Sequence, residues 1–414
     1  MDTIPKEYEN KTKSLLRELG LPKDVPQNHC FFRPVQLATK SPKHYKLSLL
    51  IEKYVKETEG NRGPAQLEQL KKHWCWMLLG LSRAMFMNNW LVVSLKTNDY
   101  SQDHWLKRYG LKYAYVKSIV DYLKEKELIE LLPGKRYKNN PSRTRIYPKE
   151  TLTGHLIEYA FAVEEAIEGP YLTLRDKNSI WREVVHNLDD DHPDLRDMNA
   201  INEFLKGHQW ACKGPVKLIY TSSPFEGGRL YTPFQNLPDR RARIRINTLI
   251  NEKPICEVDF NANHLRMNLA INAKKYAGDT PYEDICEIAG DIPRDMVKQF
   301  ITVAMGAEEE TSARNALRLK GFSDIFFDKI HTAVIKRYPK LKLFNGWGVN
   351  LQSLEGQILK DVMVSGLKEG IVCLPVHDAI AVQQEHKDWA VEAMKYTWAV
   401  HLDGCPTRVS VDEP

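Results

Sequence analysis

Apolar positions over the first 95 residues recur at helical spacing. LSLLIEKYVKE (47–57) and LKKHWCWMLLGLSRAMFMNNWLVV (70–93) contain few breakers and predict helices. Lys23, Lys40 and Lys43 sit near aromatic residues in a proline-rich stretch that reads as a solvated linker. The pattern changes between residues 97 and 148. Asp99 or Ser101 is placed to cap a short helix, DHWLKRY, which stops at Gly110. A second helix puts Val116, Ile119, Val120 and Leu123 on one face, with Lys112, Tyr113, Tyr115 and Lys117 at its start. LIELLP then reads as a strand, and GKRYKNNPSRTRIYP (134–148) turns at Asn139–Pro141. From 150 to 225 the pattern predicts two helices, HLIEYAFAVEEAI and DMNAINEFLKG, among irregular chain. The acidic run Asp189–Asp191, followed by His192–Pro193, reads as a solvated loop.

Four segments follow residue 225. GGRLYTPFQNLPDRRARIRI (227–246) is a glycine-rich turn, then polar residues and a strand. Ile255 to Phe260 predicts a strand, Asn261 or Asn263 a cap, and LRMNLAI a helix, so Asp259 falls at a buried strand end. In DIPRDMVKQFITVAMG (291–306), Asp291 and Pro293 mark a helix start. Arg294 and Lys298 then share one face, with Val297, Ile301 and Ala304 on the other. GIVCLPVHDAIAV (370–382) reads as a strand, a tight turn carrying His377–Asp378, and a returning strand. Charge at the tip of an apolar hairpin is costly unless it binds something.

Composition narrows the class. No apolar run in the 414 residues approaches the ~18–20 needed to span a bilayer, and MDTIPKEYENKTK lacks a secretory apolar core. The seven cysteines (30, 75, 212, 256, 286, 373, 405) form no CxxC pair. That spacing argues against a zinc ribbon or disulfide framework and predicts a cytoplasmic protein with no membrane partner. A net charge of +5 is modest, so its distribution matters more. Lys135, Arg136, Lys138, Arg143 and Arg145 lie in one hairpin without an acid. Helix, turn, helix and basic hairpin resembles a winged helix-turn-helix, which implies groove and phosphate contacts to duplex DNA. A winged helix used only for protein packing is the alternative.

The residue types after position 225 suit phosphoryl transfer between nucleotides. Two carboxylates on neighbouring strands can hold a pair of Mg²⁺ (or Mn²⁺) ions ~3.5–4 Å apart. Positioning and charge stabilisation dominate such chemistry, and Arg294 with Lys298 would offset charge on a triphosphate. GGRLYTPFQNLP resembles the TGRLSS…NLQNIP segment of family A (DNA polymerase I-like) polymerases. VDFNANHLR is similar to their motif A, RDMVKQFITVAMG to motif B and PVHDAIAV to motif C, in the family's order. The likeness spans residues 227–382. It implies an α+β right-hand palm with small helical fingers and a thumb-like region. The chain then divides into a helical region (1–95), a winged helix-turn-helix (96–150), a helical thumb-like connection (151–225), and palm with fingers (226–414).

By that resemblance Asp259 and Asp378 are the metal-binding carboxylates, with the Phe260 carbonyl as a further ligand. Lys298 joins them in catalysis and, with Arg294, holds the incoming dNTP or NTP; His264 and Phe260 line the nucleotide site. Arg229, Gln235 and His377 contact primer–template nucleic acid. The implied protein is a compact DNA polymerase of a phage-like or mobile replication system, without proofreading. The chain also departs from the family. His264 replaces the motif A glutamate, leaving sugar choice open between dNTP and NTP. Met305 stands where a tyrosine precedes motif B's glycine, and Ala379 replaces the acid after Asp378. A primase or single-subunit RNA polymerase, and a DNA-binding protein with an inactive palm, are the alternatives.

Overall fold

The computed structural model describes residues 30–38, 41, 43–87, 89–101, 105–134, 143–160, 162–175, 184–187, 191–221, 223, 226–237, 239, 243–290 and 292–414. Its elements are mixed α and β, and the fold class is α+β.

The first part opens with β1 (Cys30–Phe31), β2 (Gln36–Leu37), α1 (His44–Thr58) and α2 (Pro64–Phe86). Pro64 at the first helical position and the Gln66 side chain, which accepts from the Gly63 N–H at 3.2 Å, fix where α2 starts. Leu70, Trp74, Met77, Leu78, Leu81 and Met85 repeat at three- and four-residue steps and are buried. Trp74 stacks on Tyr54 of α1 at 4.8 Å between centroids, and its indole N–H donates to Thr58 at 2.9 Å. Next come β3 (Leu91–Val93), the short α3 (Trp105–Arg108), α4 (Tyr113–Glu125), β4 (Ile129–Leu132) and β5 (Thr144–Pro148).

The sheet order is β1-β3-β5-β4, and Val116, Ile119, Val120 and Leu123 of α4 are buried beneath it. Because β3 pairs with β5, strands from before and after residue 96 share one sheet. Asp99 does not cap α3. It lies in the 3-10 turn Thr97–Tyr100, accepts from Ser94 Oγ at 2.5 Å and stands 3.9 Å from Arg143. A carboxylate within reach of both a hydroxyl and a guanidinium is satisfied there.

The middle departs further from the pattern reading. Of the helix expected over HLIEYAFAVEEAI (155–167), only His155 and Leu156 are helical, as the end of α5 (Glu150–Leu156), and Val163–Glu164 becomes β6, pairing with β2. Backbone pairing with a distant strand outweighs local helix propensity. The rest of the region expected to be irregular is a four-stranded sheet, β10-β9-β7-β8. Its strands are β7 (Leu172–Arg175), β8 (Val184–Asn187), β9 (Lys217–Thr221) and β10 (Arg229–Tyr231), with α6 (Leu195–Lys206) between. Asn202 of α6 knits helix to sheet, donating to Val216 O at 2.8 Å and accepting from Val216 N at 2.9 Å.

The last part is built on β11 (Leu249–Ile250), β12 (Lys253–Phe260), β13 (Leu374–Val376), β14 (Ala379–Gln383) and β15 (Val409–Asp412). The order is β11-β12-β14-β13, with β15 also on β12. Between β12 and β13 run α7 (Asn263–Ala273), α8 (Pro281–Ala289), α9 (Arg294–Gly306), α10 (Glu310–Arg318), α11 (Asp324–Arg337) and α12 (Gly348–Glu369). Helix α13 (Lys387–His401) packs behind the sheet through Trp398. Neither Asn261 nor Asn263 caps α7: the cap position is Ala262, in the left-handed region at φ +51, and the Asn263 side chain turns elsewhere. No described helix is long and apolar enough to cross a membrane.

Candidate active site

Two strands bring the acids together. Asp259 is the penultimate residue of β12, and β14 runs antiparallel beside it with Ala379 opposite Asp259. Val376 pairs with Ala379, so β13 and β14 are joined by a two-residue turn, His377–Asp378. His377 takes φ +56, a region histidine tolerates better than most residues. Asp378 therefore stands one residue beyond Asp259's partner, and the Phe260 N–H donates to its carbonyl at 3.4 Å. The Phe260 ring is buried against Trp398 at 5.1 Å, so its side chain is core and does not line a nucleotide site.

This placement sets the electrostatics. Burial pushes the Asp259 carboxyl up, and the neighbouring Asp378 raises it further; Lys298 is the main opposing charge. Burial likewise raises Asp378, with Glu355 adding to it, while its own backbone N–H, His264 and Arg229 pull the other way. Asp259 Oδ1 is buried without a hydrogen-bond partner. Two ionised carboxylates side by side in low dielectric are unstable without a cation between them. Hard carboxylate oxygens suit Mg²⁺ or Mn²⁺, and Mg²⁺ commonly takes one or two carboxylates plus water and substrate phosphates. Among the described residues no three of His, Cys, Asp and Glu gather as a metal cage. The residues thus fit a divalent cation shared with substrate rather than one enclosed by protein.

Facing the pair, α9 exposes Arg294 and Lys298 and buries Val297, Ile301 and Ala304. Arg294 lies over the Tyr282 ring at 5.2 Å and pairs with Glu283 at 2.5 Å. An exposed pair of this kind is weak enough to exchange for a phosphate.

The residue that the motifs do not reveal is Glu355. It sits on α12 at 1% exposure, accepting from Asn263 Nδ2 at 2.8 Å and lying 3.0 Å from His264 Nε2. Its other oxygen is 3.3 Å from Arg229 Nε. One signal was available: Leu351, Glu355, Ile358, Leu359 and Val362 share the buried stripe of α12, and a carboxylate there needs partners. The remaining candidates are dispersed. Gln235 is 6% exposed in the turn Pro233–Asn236, and His377 is exposed at the hairpin tip. Arg266 is buried, bracing the loop after α7 through the carbonyls of Asn261 and Gly278, each at 2.7 Å.

In the segment expected to form a winged helix, Lys135, Arg136 and Lys138 lie outside the described residues. Arg143 is turned in beside Asp99, and Arg145 is half-buried in β5, where burial lowers its pKa. Of the acidic run, Asp191 is exposed; Asp189 and Asp190 lie outside the described residues.

Raised carboxyl pKa values have a direction in stability. The neutral pair's contribution is intact below an unfolded Asp's pKa of about 4 and is lost as pH rises through the folded values. Asp378 is pushed up to about 6 and Asp259 to about 8. In EDTA, melting temperatures between pH 4.5 and 9 should therefore fall for the native chain relative to Asp259→Asn. Parallel curves would remove the burial argument. No protein-family model matches the chain, and no curated protein matches it.

Proposed function

We propose that the chain is a compact template-dependent DNA polymerase of the family A type, adding nucleotides to a primer at Asp259 and Asp378. The observation that carries the reading is the adjacent pair of half-buried acids, one oxygen buried and unpartnered, opposite a cationic helix stripe. A divalent cation on the pair would supply the charge that acidifies the primer's 3′-hydroxyl and offsets the leaving pyrophosphate. The chain's own part is orientation. β12 and the β13–β14 turn hold the carboxylates in fixed register. Lys298 and Arg294, one helical turn apart, would bind the triphosphate, and Arg294 would exchange Glu283 for phosphate oxygens. The winged helix would engage duplex DNA alongside the primer–template.

His264 bears on the sugar. Glu355 ties down its Nε2 edge at 3.0 Å, so the ring is held in one orientation. A primed-template extension assay with Mg²⁺, run in parallel with dNTPs and NTPs, tests the reading. Extension with dNTPs supports it; extension with NTPs alone makes the enzyme an RNA polymerase or primase. DNA binding with neither would leave a DNA-binding protein with an inactive palm. Lys298→Ala should lower the rate of incorporation by ~10²–10³-fold, since one pre-placed charge is being removed from the transition state. An unchanged rate would remove Lys298 from the site.

A further inference from the structure

We propose that Glu355 is a positioning residue that holds Arg229 and His264 away from the Asp259–Asp378 pair, keeping the pair open to a divalent cation. The inference rests on reading that pair as a cation site, and it deepens the polymerase proposal by assigning a residue outside the motifs.

The competition is built into the fold. Arg229 and His264 are close enough to Asp378 for their charges to be felt there. A guanidinium beside a buried carboxylate ordinarily closes a charge-assisted pair with it. Glu355 faces these groups instead: its Oε1 stands 3.3 Å from Arg229 Nε as an ion pair without a hydrogen bond, and its Oε2 lies 3.0 Å from His264 Nε2 and accepts from Asn263 at 2.8 Å. Glu355 does not complete a three-ligand cage with the two aspartates, so it stands beside the cation site rather than in it.

Its place is enforced by backbone packing. A Cβ on Gly356 would fall 1.8 Å from the Gly228 carbonyl, and one on Gly228 would fall 2.6 Å from the Tyr220 ring. Helix α12 thus lies directly against the start of the strand that carries Arg229, which places the Glu355 carboxylate 3.3 Å from Arg229 Nε. Arg229 is only 27% exposed and has little freedom while Glu355 holds it. Without that partner, Asp378, which already feels the Arg229 charge, is the carboxylate left to it at the cation site.

The test is Mn²⁺ binding to the full chain by isothermal titration and Mn²⁺ electron paramagnetic resonance, without nucleotide or DNA. Measurements are made at pH 8 throughout, and the Arg229 variants isolate its contribution. Glu355→Gln should weaken Mn²⁺ binding ~10–100-fold, the range for loss of an outer partner of a metal site. Adding Arg229→Gln to it should restore binding close to the native value, and Arg229→Gln alone should bind at least as tightly as the native chain. Binding unchanged in Glu355→Gln would overturn the proposal. So would a double variant as weak as the single one, because Glu355 would then act as a ligand or through its own charge.

If Glu355→Gln fails to fold, Glu355→Asp replaces it, with the same rescue by Arg229→Gln expected. Asp259→Asn should bind no Mn²⁺ at this site. The primer-extension assay separates the two readings. Native protein that binds Mn²⁺ as described but extends no primer ends the polymerase proposal and leaves this one standing. Extension without the Arg229 rescue does the reverse.

Discussion

Asp259→Asn and Asp378→Asn are each expected to abolish nucleotide incorporation while making the metal-free protein more stable. The two effects have one cause. The pair is half-buried, burial and Asp378 raise the Asp259 carboxyl, burial and Glu355 raise that of Asp378, and Asp259 Oδ1 has no partner, so ionising both acids is costly. An amide removes a charge from that site without changing its size much. The same charge is what would hold the cation. Metal charge stabilisation is worth several kcal/mol, and ~4 kcal/mol corresponds to about a thousandfold in rate. Primer extension should therefore fall at least ~10³-fold in either variant, while melting in EDTA at pH 8 rises. Added Mg²⁺ or Mn²⁺ should raise the melting temperature of the native chain and not of the variants. A variant that retains extension would remove that residue from the catalytic pair; one that loses extension by unfolding would contradict the stability half.

The largest expected loss of stability comes from Gly356→Ala. Helix α12 meets the chain before β10 so closely that the added methyl would lie 1.8 Å from a backbone carbonyl oxygen. A flexible side chain could move aside; backbone at the head of a strand cannot without shifting Arg229. Overpacking ordinarily costs ~1–3 kcal/mol, and contact with backbone belongs at the upper end or beyond. Gly154→Ala is the control, a helical glycine of α5 with open space where the methyl would go, and should be neutral or stabilising by about 0.4–1 kcal/mol. Chemical denaturation of both proteins checks the pair. Equal stabilities would mean that α12 can withdraw from β10, and the placement of Glu355 would then lose its support.

Much of the local structure was legible in the residues. The short apolar runs in PICEVDF and on either side of His377–Asp378 in GIVCLPVHDAIAV mark strands because polar residues bound them. The helix from Arg294 announces itself by Pro293 and by separated cationic and apolar faces. Other segments misled. HLIEYAFAVEEAI has helical composition, yet part of it pairs with β2, a strand over a hundred residues upstream whose two residues carry little signal. Asn261 and Asn263 resemble caps, but Asn263 is drawn to Glu355 on α12. The hairpin cations resemble a uniform basic patch, but Arg143 is turned toward Asp99.

By itself the sequence determined the strand β12, the helices α7 and α9 and the β13–β14 hairpin, with an acid near one strand end and another at the hairpin tip. The strand expected at the end of 227–246 is instead a 3-10 turn at Arg245–Asn247. Periodicity and turn chemistry are local, so nearest neighbours suffice to specify them. The tertiary structure alone decided that these two acids are neighbours, through the pairing of Asp259 with Ala379. It alone placed Glu355 behind them, between Arg229 and His264. Those relations depend on strand register and on an approach that only Gly228 and Gly356 allow, across more than a hundred residues of intervening chain. Long-range register follows from packing the whole core at once, and no short window of sequence contains it.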